Sequence, residues 1–152
     1  MITLTQATHE DLPEILKLQY DAFLSEADLL DNYSIQPLTQ TLAEIEQEFA
    51  EKIFLKATDD EQGKIIGSVR ASIDKGVALI GKLIVHPDYQ RQGIGKLLLS
   101  AIEKEAGQKR CELFTSAQSP RNLQFYNKMG YKALYEKEFA PGLKFVYFQK
   151  EL

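Results

Sequence analysis

The 152-residue sequence predicts an α/β fold in which helices flank a mixed, mostly antiparallel sheet. Three observations carry that prediction. Segments of period two alternate with segments of helical period in the order β-α-α-β-β-β-α-β-α-β-β. Turn clusters at residues 59–63, 74–76 and 140–142 join strand-like runs closely enough to require antiparallel pairs. The longest amphipathic segment follows the fourth strand and stops at Gly107, so a long helix lies between the fourth and fifth strands.

The first strand is read over residues 2–7, where Ile2 and Leu4 alternate with Thr3 and Thr5. Thr8 and Asp11 form a variant capping box, and Leu12, Ile15, Leu16, Ala22 and Phe23 share one face, which places helix one at residues 9–24. Residues 25–36 carry no decisive pattern. Leu38, Leu42, Ile45 and Phe49 keep helical spacing and predict a second helix over residues 38–51. Strands follow at 52–58, 64–73 and 77–85. Ile94, Leu97, Leu98, Ala101, Ile102 and Ala106 mark the long helix, and residues 111–116 a short strand. Ser119 as cap, Pro120 at the first helical position and Gly130 beyond the end frame another helix. Residues 131–139 and 143–150 close the chain as an antiparallel pair.

Hydrophobic residues make up 44% and charged residues 26%, which excludes disorder, collagen and coiled coil and suits one domain over residues 1–152. The single cysteine, Cys111, rules out an internal disulfide and a cysteine-built zinc site, and no metal is called for. No apolar run approaches the roughly 18 residues of a membrane span, and no basic region leads into an apolar leader. A cytoplasmic protein without a membrane partner is expected. The net charge of −4 argues against nucleic acid as a partner. The charge is uneven: residues 1–62 hold 14 acidic and three basic side chains, and residues 63–152 hold 8 acidic and 15 basic. Such asymmetry suits two ligands of opposite sign.

The sharpest signal is Leu83-Ile84-Val85-His86-Pro87-Asp88-Tyr89-Gln90-Arg91-Gln92-Gly93-Ile94-Gly95-Lys96. An apolar strand runs into a polar loop, and glycines then open a helix. Free N–H groups and partial positive charge at a helix start favour phosphate, and Gly93 and Gly95 allow close backbone approach. Arg91 and Lys96 add charge. A nucleotide-hydrolase phosphate loop is excluded, because Gln90 stands where its first glycine belongs and Leu97 replaces its hydroxyl residue. A dinucleotide fingerprint is excluded because Leu98 holds the place of its third glycine.

The pattern Q-x-x-G-x-G at Gln90, Gly93 and Gly95 resembles the acetyl-coenzyme A signature of the GNAT superfamily of N-acetyltransferases. Downstream, Asn122-Leu123-Gln124-Phe125-Tyr126-Asn127-Lys128-Met129-Gly130-Tyr131 resembles that superfamily's second motif. The order of elements matches from end to end, so the resemblance covers essentially the whole chain and implies the three-layer GNAT fold.

The resemblance implies transfer of an acetyl group from acetyl-coenzyme A, a cosubstrate, to a small-molecule or protein amine by direct attack in a ternary complex. It places the pantetheine arm on the backbone of Leu83, Ile84 and Val85, and the pyrophosphate on Arg91, Gln92, Gly93, Ile94, Gly95 and Lys96, with Gln90 opening the loop. Asn122 would reach the cofactor. Arg121 and Lys128 suit either its 3′-phosphate or a solvated helix face. Tyr126 would protonate the departing thiolate, since a phenol with a pKa of about 10 can donate to a thiolate whose acid lies at about 8.5. Backbone N–H groups near Val85 would stabilise the developing oxyanion. A homodimer through the C-terminal strands is implied as well.

The base is not legible. The fourth-strand stretch Ile80-Gly81-Lys82-Leu83 lacks the carboxylate that many relatives carry, leaving Glu26, Asp28, Asp31 or bulk water. His86 reads as a turn residue and His9 as a solvated helix start. The missing carboxylate keeps open a non-catalytic module that binds or senses acyl-coenzyme A. The acidic first half, through Glu26, Asp28, Asp31 and Glu44, predicts a cationic acceptor.

Overall fold

The structure is a computed structural model describing residues 1–30 and 32–152. Its sheet has seven strands: β1 (Ile2–Gln6), β2 (Ile53–Asp59), β3 (Lys64–Asp74), β4 (Val77–Val85), β5 (Arg110–Ser116), β6 (Lys132–Ala140) and β7 (Leu143–Glu151). Their spatial order is β1-β2-β3-β4-β5-β7-β6. The β4–β5 pair is parallel and the other neighbours are antiparallel. The expected sheet and element order are therefore present.

Helices cover both faces, because β3 and β4 are apolar on both. One face packs on α4 (Ile94–Ala106), whose Leu98, Leu99 and Ile102 are fully buried against Val69, Ala71 and Ile80. The other packs on α1 (Leu12–Leu30) and α3 (Leu42–Glu51), where Leu12, Ile15 and Ile45 meet Phe54, Ile65 and Ile84. A bulge in β3 leaves Ile66 between the pairs Thr58–Ile65 and Ala57–Gly67. Ile66 and Val69 then face α4, while Arg70 turns toward α1 and α3.

Two helical expectations need correction. Helix one runs to Leu30 rather than residue 24, with Ala27 fully buried in the added turn. Its stripe fades in the sequence because Glu26 occupies a position where an apolar residue would mark it. The second predicted helix is two pieces: a single turn, α2 (Gln36–Thr39), and α3. Thr41 breaks them apart by capping α3, its N–H donating to Glu44 Oε1 at 2.9 Å while Glu44 N–H donates to Thr41 Oγ1 at 3.2 Å. Gln40 is consequently extended, with its side chain buried beneath the sheet. The helix framed by Ser119 is α5 (Pro120–Lys128), and the Ser119 hydroxyl accepts from Asn122 N–H.

Candidate active site

The site begins where β4 and β5 part. They pair over Val77–Leu79 with Arg110–Glu112, and the edge of β4 beyond Leu79 leaves β5. A second bulge marks the divergence: Arg70 pairs with Gly81 and Ser68 with Ile84, so Lys82 and Leu83 together oppose Val69. Lys82 adopts a left-handed φ of 48°. A bulge bends its strand and increases twist, which carries the end of β4 away from β5.

One cavity of about 670 Å³ opens on the α4 and α5 side of this wedge. Leu83, Ile84 and Val85 form one edge, and Gly93, Ile94, Gly95 and Lys96 form another. Arg91 at φ 63° and Gly93 at φ 79° are both left-handed, and together they turn the loop sharply into α4. The first N–H bonded in helical fashion is that of Leu97, to Gly93 O at 3.1 Å. The N–H groups of Ile94, Gly95 and Lys96 precede it and stay unpaired within the helix, at its positive end. A Cβ on Gly93 would meet no atom within 4 Å among the described residues, so it would stand in the open cavity. A Cβ on Gly95 would lie 3.6 Å from Phe125, on the neighbouring helix α5. This cradle fits a phosphate-bearing ligand.

Gln90 staples the loop. Its Nε2 donates to Val85 O at 2.8 Å, and its Oε1 accepts from Arg121. Asn122 donates to Thr115 Oγ1 at 3.2 Å and joins α5 to β5. Arg91, Arg121 and Asn122 line the cavity, whereas Gln92 and Lys128 are exposed and outside its lining.

A second cavity, of about 720 Å³, lies on the opposite side of the wedge. Phe23, Glu26, Leu83, Asn122 and Tyr126 line both cavities, so the two meet at the Tyr126 ring. That ring is half-buried and packs against Phe125, Phe148 and Tyr131, with centroids 5.2, 5.9 and 6.0 Å away. Burial, with the charge of Glu26, pushes the Tyr126 phenol above its ordinary value and keeps it protonated. Tyr131, at the end of the second motif, is buried and donates to Glu103 Oε2 at 2.7 Å, anchoring the turn after α5 to α4.

The proton-acceptor candidates separate clearly. Glu26 lies at the junction, and burial raises its carboxyl. Asp28 is exposed and accepts from the Tyr33 hydroxyl. Asp31 lies outside the described residues. His86 caps a turn by accepting from Asp88 N–H at 3.1 Å, and His9 pairs with Glu46 at 2.8 Å. Cys111 is a fully buried core residue.

Sequence reasoning did not single out Phe23, Lys52, Arg70 or Lys82. Arg70 had a visible signal, being a charge inside the otherwise apolar run of β3. Lys82 had none, since strict alternation groups it with Ile80, which faces α4, and the bulge turns it toward Glu48 instead.

The model of the acetyltransferase (GNAT) domain matches residues 50–133, more than half of the chain. The chain belongs to the GNAT acetyltransferase family. It is an acetyl-coenzyme A dependent N-acetyltransferase. It is 26% identical over 122 residues to the uncharacterized N-acetyltransferase ycf52 of Porphyra purpurea, covering 73% of this chain and 70% of that one. It is 28% identical over 122 residues to the uncharacterized N-acetyltransferase YjcF of Bacillus subtilis, with coverages of 80% and 84%. The PaiA N-acetyltransferase of Thermoplasma acidophilum, solved in complex with coenzyme A, superposes with a TM-score of 0.80 at 21% identity, over 100% of this chain and 99% of that one. That likeness shows a shared GNAT fold. No helix among the described residues is long and apolar enough to cross a membrane.

Proposed function

We propose that acetyl-coenzyme A enters on the α4 side of the wedge, the amine on the opposite side, and that transfer takes place directly between them at Tyr126. The observation carrying this reading is the pair of cavities that share Glu26, Leu83 and Tyr126. The N–H groups of Ile94, Gly95 and Lys96, with Arg91, hold the pyrophosphate. The free edge of β4 through Leu83–Val85 holds the pantetheine arm, and Asn122 borders it from α5.

The thioester supplies an activated acetyl group. The amine nitrogen bonds to the acetyl carbon, the carbon–sulfur bond breaks, and the sulfur leaves with the bonding pair. Among the described residues the Tyr126 hydroxyl has no hydrogen-bond partner, which leaves it free to donate to that sulfur. Backbone N–H groups at the end of β4 oppose the negative charge growing on the carbonyl oxygen. The amine's surplus proton passes to water through the open second cavity, and Tyr126 regains its own proton from the same water. A homodimer through the C-terminal strands belongs to the same proposal, supported by β6 being exposed along its whole length.

The test is Gly95→Glu. Acetyl-coenzyme A should raise the melting temperature of the wild-type chain, and the variant should fold yet lose the shift, because a carboxylate would stand where the pyrophosphate sits. Calorimetry detecting no coenzyme A binding by the wild type at millimolar ligand would overturn the site. Binding without turnover of any amine would favour the sensing module.

A further inference from the structure

Taken as the acceptor side, the second cavity carries a charge pattern that bears on which amine it admits, and the acceptor class rests on that reading. One wall is apolar, built from Phe23, Leu79, Phe114, Phe145 and Tyr147. Phe114 is 52% exposed although it sits in the middle of β5, edge-on to Phe145 at 5.1 Å. The other end holds three cations, Lys52, Arg70 and Lys82.

One carboxylate faces all three. Glu48 lies 2.7 Å from Arg70 Nη1, 3.8 Å from Lys52 Nζ and 4.0 Å from Lys82 Nζ. Only the Arg70 contact is of hydrogen-bond length, so Glu48 is committed there. Gln19 Oε1 accepts from Arg70 Nη2 at 2.7 Å, and Gln40 Nε2 donates to Glu48 Oε1 at 2.8 Å, which locks the pair in place. Arg70 is only 2% exposed, and its buried Nε has no hydrogen-bond partner among the described residues.

Two further carboxylates line the cavity, and among the described residues neither is within ion-pair distance of these cations. Glu112 is held by Arg110 at 3.0 Å, and Glu26 lies at the junction of the two cavities, where burial raises its carboxyl. Lys82 is 18% exposed, and desolvation with repulsion from Arg70 lowers its pKa to about 8. A buried ammonium short of a counter-ion is costly, and an anionic ligand would relieve it. A polyamine would add positive charge to an end that already has too much. The cationic acceptor expected from the sequence therefore meets the wrong field. Of the four acidic residues behind that expectation, Glu26 alone lines this cavity among the described residues, and Glu44 is occupied in capping α3.

We propose that the acceptor is an amine bearing a carboxylate on an apolar body, an amino acid with an aromatic or branched aliphatic side chain. Its carboxylate sits against Lys82 and Lys52, its side chain against the wall of Phe114 and Phe145, and its amine points toward Tyr126 at the wedge.

The experiment compares phenylalanine with 2-phenylethylamine, and leucine with isopentylamine, pairs that differ in the carboxylate. Coenzyme A release by the full chain is followed at pH 7.5 and low salt. Phenylalaninamide controls for amine basicity, since its amine deprotonates more readily and carries no carboxylate. The carboxylated member should have at least about tenfold higher kcat/KM, mostly through KM. In Lys82→Gln that ratio should fall toward one while acetyl-coenzyme A binding by calorimetry is retained. Equal efficiencies, a preference for the neutral amines or for spermidine, or a ratio unmoved in Lys82→Gln would overturn the proposal. If no amine turns over, affinities of N-acetylphenylalanine and N-acetyl-2-phenylethylamine for the coenzyme A-saturated chain decide it, and equal affinities reject it. Failure to bind coenzyme A at all would instead reject the site reading.

Discussion

Lys82→Met should stabilise the protein at neutral pH, although it removes a charge that sits near a carboxylate. The methionine keeps the length of the aliphatic stem and drops the ammonium. Desolvation and the charge of Arg70 lower the Lys82 pKa from 10.5 to about 8. At about 1.4 kcal/mol for each tenfold change, that drop puts about 3 kcal/mol of destabilisation on the charged form. The fold holds the Lys82 proton less tightly than the unfolded chain does. The penalty is therefore complete below pH 8, shrinks as pH rises toward 10.5, and is gone above it. Urea unfolding of wild type and variant at pH 7, 9 and 10.5 measures this directly. The variant should be more stable by about 3 kcal/mol at pH 7, and the two curves should converge at alkaline pH. For a chain of this size the neutral-pH gain corresponds to a melting temperature roughly 6 to 12 °C higher. A variant less stable than wild type at pH 7, or a difference constant across the three pH values, would refute the claim that Lys82 is a strained cation awaiting an anion.

Tyr126→Phe should lower kcat by about 10²-fold with little change in the KM for acetyl-coenzyme A, because only the proton on the departing sulfur is lost; steady-state kinetics with wild-type turnover would return Tyr126 to a packing role. Gly67→Ala should destabilise by about 1–3 kcal/mol in urea unfolding, since its Cβ would come within 2.8 Å of Leu98 Cδ1 and 3.2 Å of Ile84 O at the β3–α4 contact, and an unchanged midpoint would contradict that packing.

Much of the architecture could be read from local chemistry. The period-two runs of β3 and β4, the glycine stop of α4 at Gly107 and the Ser119-Pro120 start of α5 each act within a few residues. The structure returns them within a residue or two. The cap at Thr41 was equally local, with Glu44 three residues on, and it was hidden only because Leu38, Leu42, Ile45 and Phe49 keep one helical spacing across it. Leu42, counted in that stripe, is in fact 42% exposed.

The loop proposed to hold the nucleotide was legible for the same reason. A phosphate is held by backbone N–H groups at a helix start, and the residues that shape such a start are contiguous, from Gln90 to Lys96. The proposed acceptor side is different, because its groups come from β3, β4, β5, β7, α1 and α5 and converge only through the sheet. The sign of its charge depended on which acidic residues turn toward it, and net charge over a half-chain does not encode direction. Glu48 is on the acidic half and faces the cavity's cations, whereas Glu44, four residues away, faces its own helix cap. The sequence by itself determined the sheet, the helices α4 and α5 and the glycine-bearing loop before α4, since each is set by short-range spacing. The tertiary structure decided the charge of the second cavity, because one extra residue in β4 rotates Lys82 from the α4 face to stand beside Arg70, and a bulge is fixed by pairing with a neighbouring strand rather than by its own residues.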